Sequence, residues 1–312
     1  MTRRLSILLN TGFAGPHAGF FLAEADGHLA AEGLAVEWRG GQGAAKVIEE
    51  MQGCDAAYGD LATLIARLGH EAPGRGPQAV FIAFATTPLT VAVAADGPVH
   101  HPRDLAGRRV SGHGRDAALV AFPALALRTG LDPASVTILP DPAPLAAQLR
   151  AMLDDNAAEG VFGFVNTMKA GLEGAGDAAL IERLRFLLYA EHVPELMGNA
   201  LVVSRALIES DPAAVAGLTR AVARGFRAAM AEPERGVLAV AARATMNVAV
   251  QTMRWRRTIA EEMTHPDIAR FGLGKADPSR IATACVTLAT ALALPRLPDA
   301  AEVFDPRWLA GA

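Results

Sequence analysis

Short apolar runs alternate with segments of helical spacing along the first two-thirds of the chain, and the last third is helical almost throughout. Residues 5–9 (Leu-Ser-Ile-Leu-Leu) read as a buried parallel strand. Asn10 ends it, because the following Thr11-Gly12-Phe13-Ala14-Gly15-Pro16 cannot continue a ladder. Residues 17–31 have helical spacing with Phe20, Phe21, Ala25 and Leu29 near one face, and Gly33 stops them. A second strand is predicted over 34–38, and Gly40-Gly41-Gln42-Gly43 opens a helix over 44–51.

The alternation continues with strands over 55–60, 79–84, 89–95, 108–111, 136–139, 160–165, 184–188 and 200–203. Helices are predicted over 61–68, from Arg115 to Thr129, and over 143–154. From Ser204 onward the pattern gives helices over 212–231, 234–244, 249–262 and 278–292, with Pro295, Pro298 and Pro306 stiffening a tail near Trp308. Alternating strands and helices argue for a parallel α/β architecture. The return at Ala200 divides the chain into a discontinuous first lobe, 1–88 plus 201–312, and an inserted second lobe, 89–200. A cleft lies between them, with a hinge near 85–88 and 198–202. Two crossings leave few contacts to fix the lobes, so relative motion is expected.

Composition narrows the field. A net charge of −4 gives no basic footprint for nucleic acid. Cys54 and Cys285 are too few for a disulfide framework or a cysteine-based zinc site and read as buried free thiols. No apolar run approaches a membrane span. Met1-Thr2-Arg3-Arg4 is basic, but the apolar run behind it is too short for a signal peptide and is needed as the first strand. The expectation is that an export signal has been removed, or that the protein stays in the cytoplasm.

Candidate chemistry gathers at strand ends, where α/β sheets bind ligands. Asn10, Thr11 and Phe13 follow the first strand, and His17 opens the next helix. Gly41 and Gln42 lie in a loop whose backbone N–H groups could meet a ligand. Asp60 can accept from an amine or cap the helix behind it. Thr86 and Thr87 lie at the first crossing, and Asn166 and Asn199 flank the second lobe's exit. His113 and Arg115, in Gly112-His113-Gly114-Arg115, combine loop amides with a cation suited to an anion. Arg254, Arg256 and Arg257 read as a solvated helix face. There is no Gly-x-Ser-x-Gly elbow, His-Glu-x-x-His, dinucleotide fingerprint, P-loop ending or metal-ligand spacing. No catalytic residue, metal or cofactor is therefore assigned.

Several stretches together resemble a known family: His17 through Val36, then Gly40-Gly41-Gln42-Gly43, then Asp55 through Asp60. The likeness continues through Asp104-Leu105-Ala106-Gly107-Arg108-Arg109-Val110, Asn199 through Ser204, Asp211-Pro212 and Trp255-Arg256-Arg257-Thr258-Ile259. This order resembles the substrate-binding proteins of ABC importers for thiamin-pyrimidine precursors, sulfonates and taurine. The resemblance implies an α/β, two-lobed periplasmic-binding-protein-like (type II) fold that closes on a small-molecule ligand. It further implies a monomer that partners an ABC permease in the periplasm. Pyrimidine-binding relatives carry an aromatic after the first strand and Tyr-Tyr-Glu before the return crossing. Here Thr11 and Leu196-Met197-Gly198 stand there, so a sulfonate or carboxylate held by Arg115 competes with a pyrimidine. The rival class is a cytoplasmic enzyme like the fungal thiamin-pyrimidine synthases, which consume one of their own histidines. Thr63 occupies that position, and residues 195–199 lack that family's cysteines.

Overall fold

The computed structural model describes residues 2–114 and 116–310 and contains two five-stranded sheets. The first holds β1 (Arg3–Leu9), β2 (Leu34–Gly40), β3 (Ala56–Asp60), β4 (Gln78–Ile82) and β10 (Asn199–Val203), in the order β2-β1-β3-β10-β4. The second holds β5 (Leu89–Ala94), β6 (Arg109–Gly112), β7 (Thr137–Pro140), β8 (Gly160–Phe164) and β9 (Leu184–Leu188), in the order β7-β6-β8-β5-β9.

Both sheets are mixed, which corrects the expectation of parallel sheets. β1 runs parallel to β2 and β3, and β6 parallel to β7 and β8. The strand that enters each sheet from the other runs against its neighbours: β10 against β3 and β4, β5 against β8 and β9. The chain arrives in each sheet from the far side, so a strand that immediately follows a passage points the opposite way. The passages fall between Ile82 and Leu89 and between Leu188 and Asn199, and Asn199 and Ala200 already pair with Asp60 and Gly59.

β1 buries Leu5, Ile7 and Leu9 completely, as a period of two against a helical layer demands. That layer is the helix Ala18–Ala25 packed on Pro212–Ala231. A Cβ on Gly225 would stand 2.1 Å from the Gly19 carbonyl, so only glycine lets the two backbones approach. Trp255, fully buried, packs behind them and donates its Nε1 hydrogen to the Ala229 carbonyl at 2.8 Å.

The two sheets share one hydrophobic core. Leu89, Val91, Leu125 and Phe162 from the second half belong to the same buried cluster as Leu5, Tyr58 and Phe226. The expectation of few contacts between halves is therefore corrected: the helix Ala117–Thr129 packs against both Leu61–Leu68 and Pro278–Ala291. Both cysteines are buried and free. Among the described residues no helix is long and apolar enough to cross a membrane.

Arg280 fastens the passages between the sheets. Its guanidinium donates to the Ala85 carbonyl at 2.7 Å in the first passage and to the Leu196 and Pro194 carbonyls at 3.0 and 3.1 Å in the second. Asp267 accepts from it at 3.1 Å. Arg280→Ala would take this donor from three carbonyls and leave the mostly buried Asp267 carboxylate without its cation, with the Asp277 N–H as its remaining donor. It is expected to lower unfolding stability by about 3–5 kcal/mol, as breaking a buried pair does. Urea denaturation at neutral pH checks this, and a loss under about 1 kcal/mol would show that the fastening is dispensable.

Candidate functional site

The loops after β1, β2, β6, β7 and β8 converge on one cleft from both sheets. Its outer cavity, about 300 Å³, is walled by Asn10, Thr11, Gln42, His113 and Asp116, by the apolar Ala117, Pro142, Pro144, Leu145 and Phe164, and by Arg254. Below it lies an inner chamber of about 10 Å³, walled by His17, Phe84, Asn166, Asn199, Thr258 and Glu262. The two spaces share Asn10, Thr11, Phe164, Thr167 and Arg254.

Local sequence explains the placement of each wall. Gly41 lets the loop after β2 fold back on β1, since a Cβ there would stand 2.3 Å from the Leu9 carbonyl and 2.4 Å from Val47. That close approach turns Gln42 and Gly43 to the cleft while Gly41 itself stays out of its wall. His17 ends a short turn begun by Gly15-Pro16 and is 1% exposed. Its Nδ1 accepts the Ala14 backbone N–H at 3.1 Å, so Nε2 carries the proton and donates to Asn10 Oδ1 at 2.7 Å. Burial first, and the Arg254 charge second, depress the His17 pKa to about 3. The imidazole is thus neutral and fixed in one tautomer.

Arg254 lies on the helix Val248–Arg257 and donates to Thr167 Oγ1 at 2.8 Å, reaching from the first half of the chain to the second. Its Nε has no hydrogen-bond partner, and burial lowers its pKa from the usual value. A wide helical turn over Thr258–Glu262 carries the chain on to Glu262, which is 4% exposed. Asn166 Nδ2 donates to Glu262 Oε1 at 2.9 Å and to Glu261 Oε2 at 3.0 Å. Desolvation pushes the Glu262 pKa up to about 7, against the pull of Asn166 and Arg254.

Three polar atoms of the chamber wall are buried without a partner: Asn166 Oδ1, Asn199 Oδ1 and Arg254 Nε. An unmatched buried polar atom costs roughly 1–3 kcal/mol. Several in one place mark a site for something that matches them. Among the described residues no group of His, Cys, Asp or Glu could hold a metal ion.

The expected residues divide accordingly. Asn10, Thr11, His17, Gln42, His113, Asn166 and Asn199 line the two spaces. Phe13 packs edge-on against Phe21 with ring centroids 4.9 Å apart and lies outside the walls. Thr86 bonds to the Thr264 and Glu262 carbonyls, and Thr87 accepts the Leu89 N–H. Both threonines shape the passage between the sheets and do not line the cleft. Asp60 is completely buried and caps Leu61–Leu68, its Oδ1 accepting the N–H groups of Ala62 and Thr63 at 3.0 and 3.3 Å. Arg115 lies outside the described residues.

Arg254, Glu262, Thr167 and Phe164 were missed. The Arg-rich run 254–257 reads as solvated, and Arg256 is indeed exposed beside Glu234. The usable signal was spacing: Gln251, Arg254, Thr258 and Glu262 recur at intervals of three or four, a polar stripe beside the buried Trp255.

Two five-stranded sheets with their helices enclose a cleft with a polar floor, a two-lobed α/β architecture. The sequence matches the NMT1/THI5 like family over residues 15–236, and the chain belongs to that family. No curated protein is significantly similar to it in sequence. Among solved structures, the alkanesulfonate-binding protein SsuA from Xanthomonas axonopodis pv. citri, bound to MOPS, is 14% identical with a TM-score of 0.69. That match covers 98% of this chain and 99% of the other. The periplasmic aliphatic sulphonate binding protein SsuA from Escherichia coli is also 14% identical, TM-score 0.69, covering 98% and 93%. The desulfurization enzyme DszB is 16% identical, TM-score 0.62, covering 99% and 98%. At these identities the likeness establishes the fold, the periplasmic-binding-protein fold expected from the sequence, and that fold serves binders and at least one enzyme.

Asp60 yields a test of the buried electrostatics. Desolvation raises its carboxyl from 3.8 to about 7, with the charge of nearby Asp116 adding to the shift. Because the folded pKa lies above the unfolded one, the stability it contributes is complete below about pH 4 and is lost as pH rises through 7. Relative to Asp60→Asn, the wild type should lose about 1.4 kcal/mol per pH unit between pH 4 and 7. Denaturant titrations of both proteins at pH 4, 5.5 and 7 measure the difference. A constant difference would show that Asp60 is ionised in the fold.

Proposed function

We propose that the protein is the solute-binding component of an ABC importer and that its solute is a small organic acid, a sulfonate or carboxylate. The observation that carries this reading is Arg254, a cation at the junction of the outer cavity and the inner chamber with an unpartnered Nε hydrogen. Glu262 shares its surroundings, but desolvation pushes its pKa up to about 7, so the guanidinium charge is only partly cancelled at neutral pH. An incoming acid group supplies the charge and the acceptor that the site lacks. Sulfonate binding by the two SsuA structures of the same fold supports this choice. A thiamin-pyrimidine precursor is less well served, because Thr11 offers no ring to stack on.

Binding rather than catalysis is favoured by the state of the histidine. His17 is held neutral by burial, with its Nδ1 lone pair committed to the Ala14 N–H and its Nε2 proton committed to Asn10. The described wall residues also include no Cys, Ser or Lys to act as a nucleophile. Delivery to a membrane permease, monomeric action and a periplasmic location are carried over from the family resemblance.

Ligand entry requires the halves to part. The links that close the cleft tie the helix Val165–Gly174 to Val248–Arg257 and the turn beyond it: Arg254 to Thr167, Arg257 to Glu173 at 2.7 Å, and Asn166 to Glu262. We infer that these break on opening while Arg280 keeps the passages in register. Saturating ligand should therefore lower the radius of gyration in small-angle scattering. An unchanged radius would mean a preformed pocket.

Arg254→Ala should weaken binding of a sulfonate such as MOPS by about 1.5–3 kcal/mol, the usual size of a charge-assisted bond. Titration calorimetry on wild type and variant measures this. Unchanged affinity in a folded variant would remove Arg254 from the site and the anion reading with it.

A further inference from the structure

We propose that an arginine-lined cavity at the end of the first sheet remote from the cleft is a binding site for a phosphate group, free or carried by a small organic ester. It stands independently of the organic-acid reading, because no residue of this cavity lines the cleft.

The cavity, about 360 Å³, opens where the chain enters β3 and β4 and leaves β10. These points lie at the opposite end of the sheet from Asn10 and Gln42, since β1 and β3 run parallel and β10 runs against β3. Arg67, Arg75 and Arg205 reach its wall from three separate segments. Like charges gathered in one wall repel, so their convergence is costly in the empty protein. Arg67 lies in the last turn of Leu61–Leu68, with its Nε paired to Glu71 Oε1 at 2.6 Å. Arg205 Nε donates to the Gly76 carbonyl at 3.1 Å, which holds the guanidinium in place without neutralising it. Among the described residues Arg205 has no ion pair, and the Arg75 side chain has neither an ion pair nor a hydrogen bond. A further guanidinium, that of Arg39, donates to Sγ of the buried wall residue Cys54 at 3.5 Å. Asp55, the carboxylate among the described wall residues, is spent on Ser6, whose N–H it accepts at 2.8 Å and whose hydroxyl at 3.3 Å. Two cations therefore border the cavity without a counter-charge.

A tetrahedral dianion suits this wall better than a carboxylate. One planar fork satisfies a carboxylate, whereas guanidiniums from three segments call for oxygens that point several ways. Above pH 7 a phosphate monoester is a dianion, its second pKa being about 6. Met51, Pro77 and Ala206 add apolar surface on which the organic part of an ester can lie.

Amide chemical shifts of the isotope-labelled full chain test this at fixed ionic strength, with inorganic phosphate, phenyl phosphate and benzoate as probes. Phosphate and phenyl phosphate should each shift the Gly53, Cys54 and Gly76 amides saturably, and benzoate should bind there at least about 10-fold more weakly. Phenyl phosphate binding about 3-fold or more tighter assigns an ester, and equal or tighter binding of inorganic phosphate assigns the free ion; either result supports the site. Arg205→Ala should weaken phosphate about 10-fold, the loss of one charge-assisted bond. Arg75→Ala, at an exposed residue with no partner to lose, should weaken it about 3-fold and decides the matter if Arg205→Ala does not fold. No saturable shift at these amides, shifts confined to cleft amides such as Gln42 and His113, or benzoate binding as tightly as phosphate overturns the proposal. Unchanged affinity in the folded variants overturns it equally.

Discussion

The cleft depends on how the two passages between the sheets are tied, by backbone bonds such as Gly198 N–H to the Phe84 carbonyl and by the side chain of Arg280. Two sheets joined by two covalent strands would leave the connecting backbone with carbonyls that no ladder satisfies, since β4 stops at Ile82 and β9 at Leu188. Arg280 supplies three of the missing donors at once, to Ala85, Pro194 and Leu196. The planar fork of a guanidinium can meet several carbonyls that a lysine ammonium could not reach together. Asp267 keeps the charge from being buried alone. The donor comes from the helix Pro278–Ala291, in the part of the chain that has no strands, which gives that helical third a mechanical role.

The same helical third closes the cleft from the opposite side. Trp255 anchors the helix Val248–Arg257 in the core, and one residue earlier in the sequence Arg254 swings toward the second sheet. Neighbours on a helix diverge by about 100°, so a fully buried Trp fixes the direction of the adjacent Arg. Rigid packing behind the site and polar side chains in front of it are thus set by one short stretch. The energetic tension lies in front, where buried amide oxygens and a desolvated Glu262 with its pKa pushed up to about 7 are held against their solvation preferences by the packing behind.

Much of the architecture was legible because its signals are local. The helices Leu61–Leu68 and Pro212–Ala231 and the strand Leu184–Leu188 fall where spacing and flanking residues put them. Strand ends were legible for the same reason, which is why Asn10, Gln42 and His113 reach the cleft. Strand direction was not, because an antiparallel β10 and a parallel one have the same apolar run; only the route of the chain decides. Thr86 and Thr87 were misjudged because a passage residue can face the cleft or the backbone of a distant helix, and Thr86 faces Thr264. Asn166 sits one residue into the helix Val165–Gly174 rather than at a strand end, yet helix N-termini and strand ends occupy the same rim of the sheet.

Fold likeness to sulfonate binders and to a desulfurization enzyme alike leaves the chemistry to individual side chains. A site that turns over its ligand needs a group that can gain or lose a proton or an electron pair during the reaction. The titratable groups here are each tied into the fold by hydrogen bonds. His17 is shut between a backbone N–H and Asn10, Asp60 is spent on a helix cap, and Glu262 is tied to Asn166. Burial holds His17 neutral and shifts both carboxyls up to about 7, while hydrogen bonds fix the geometry of all three. Fixed donors and acceptors discriminate among ligands by matching, whereas catalysis requires at least one of them to change. The same constraint that makes the floor costly to bury in the empty protein makes it selective, since only a ligand with the complementary pattern removes the cost.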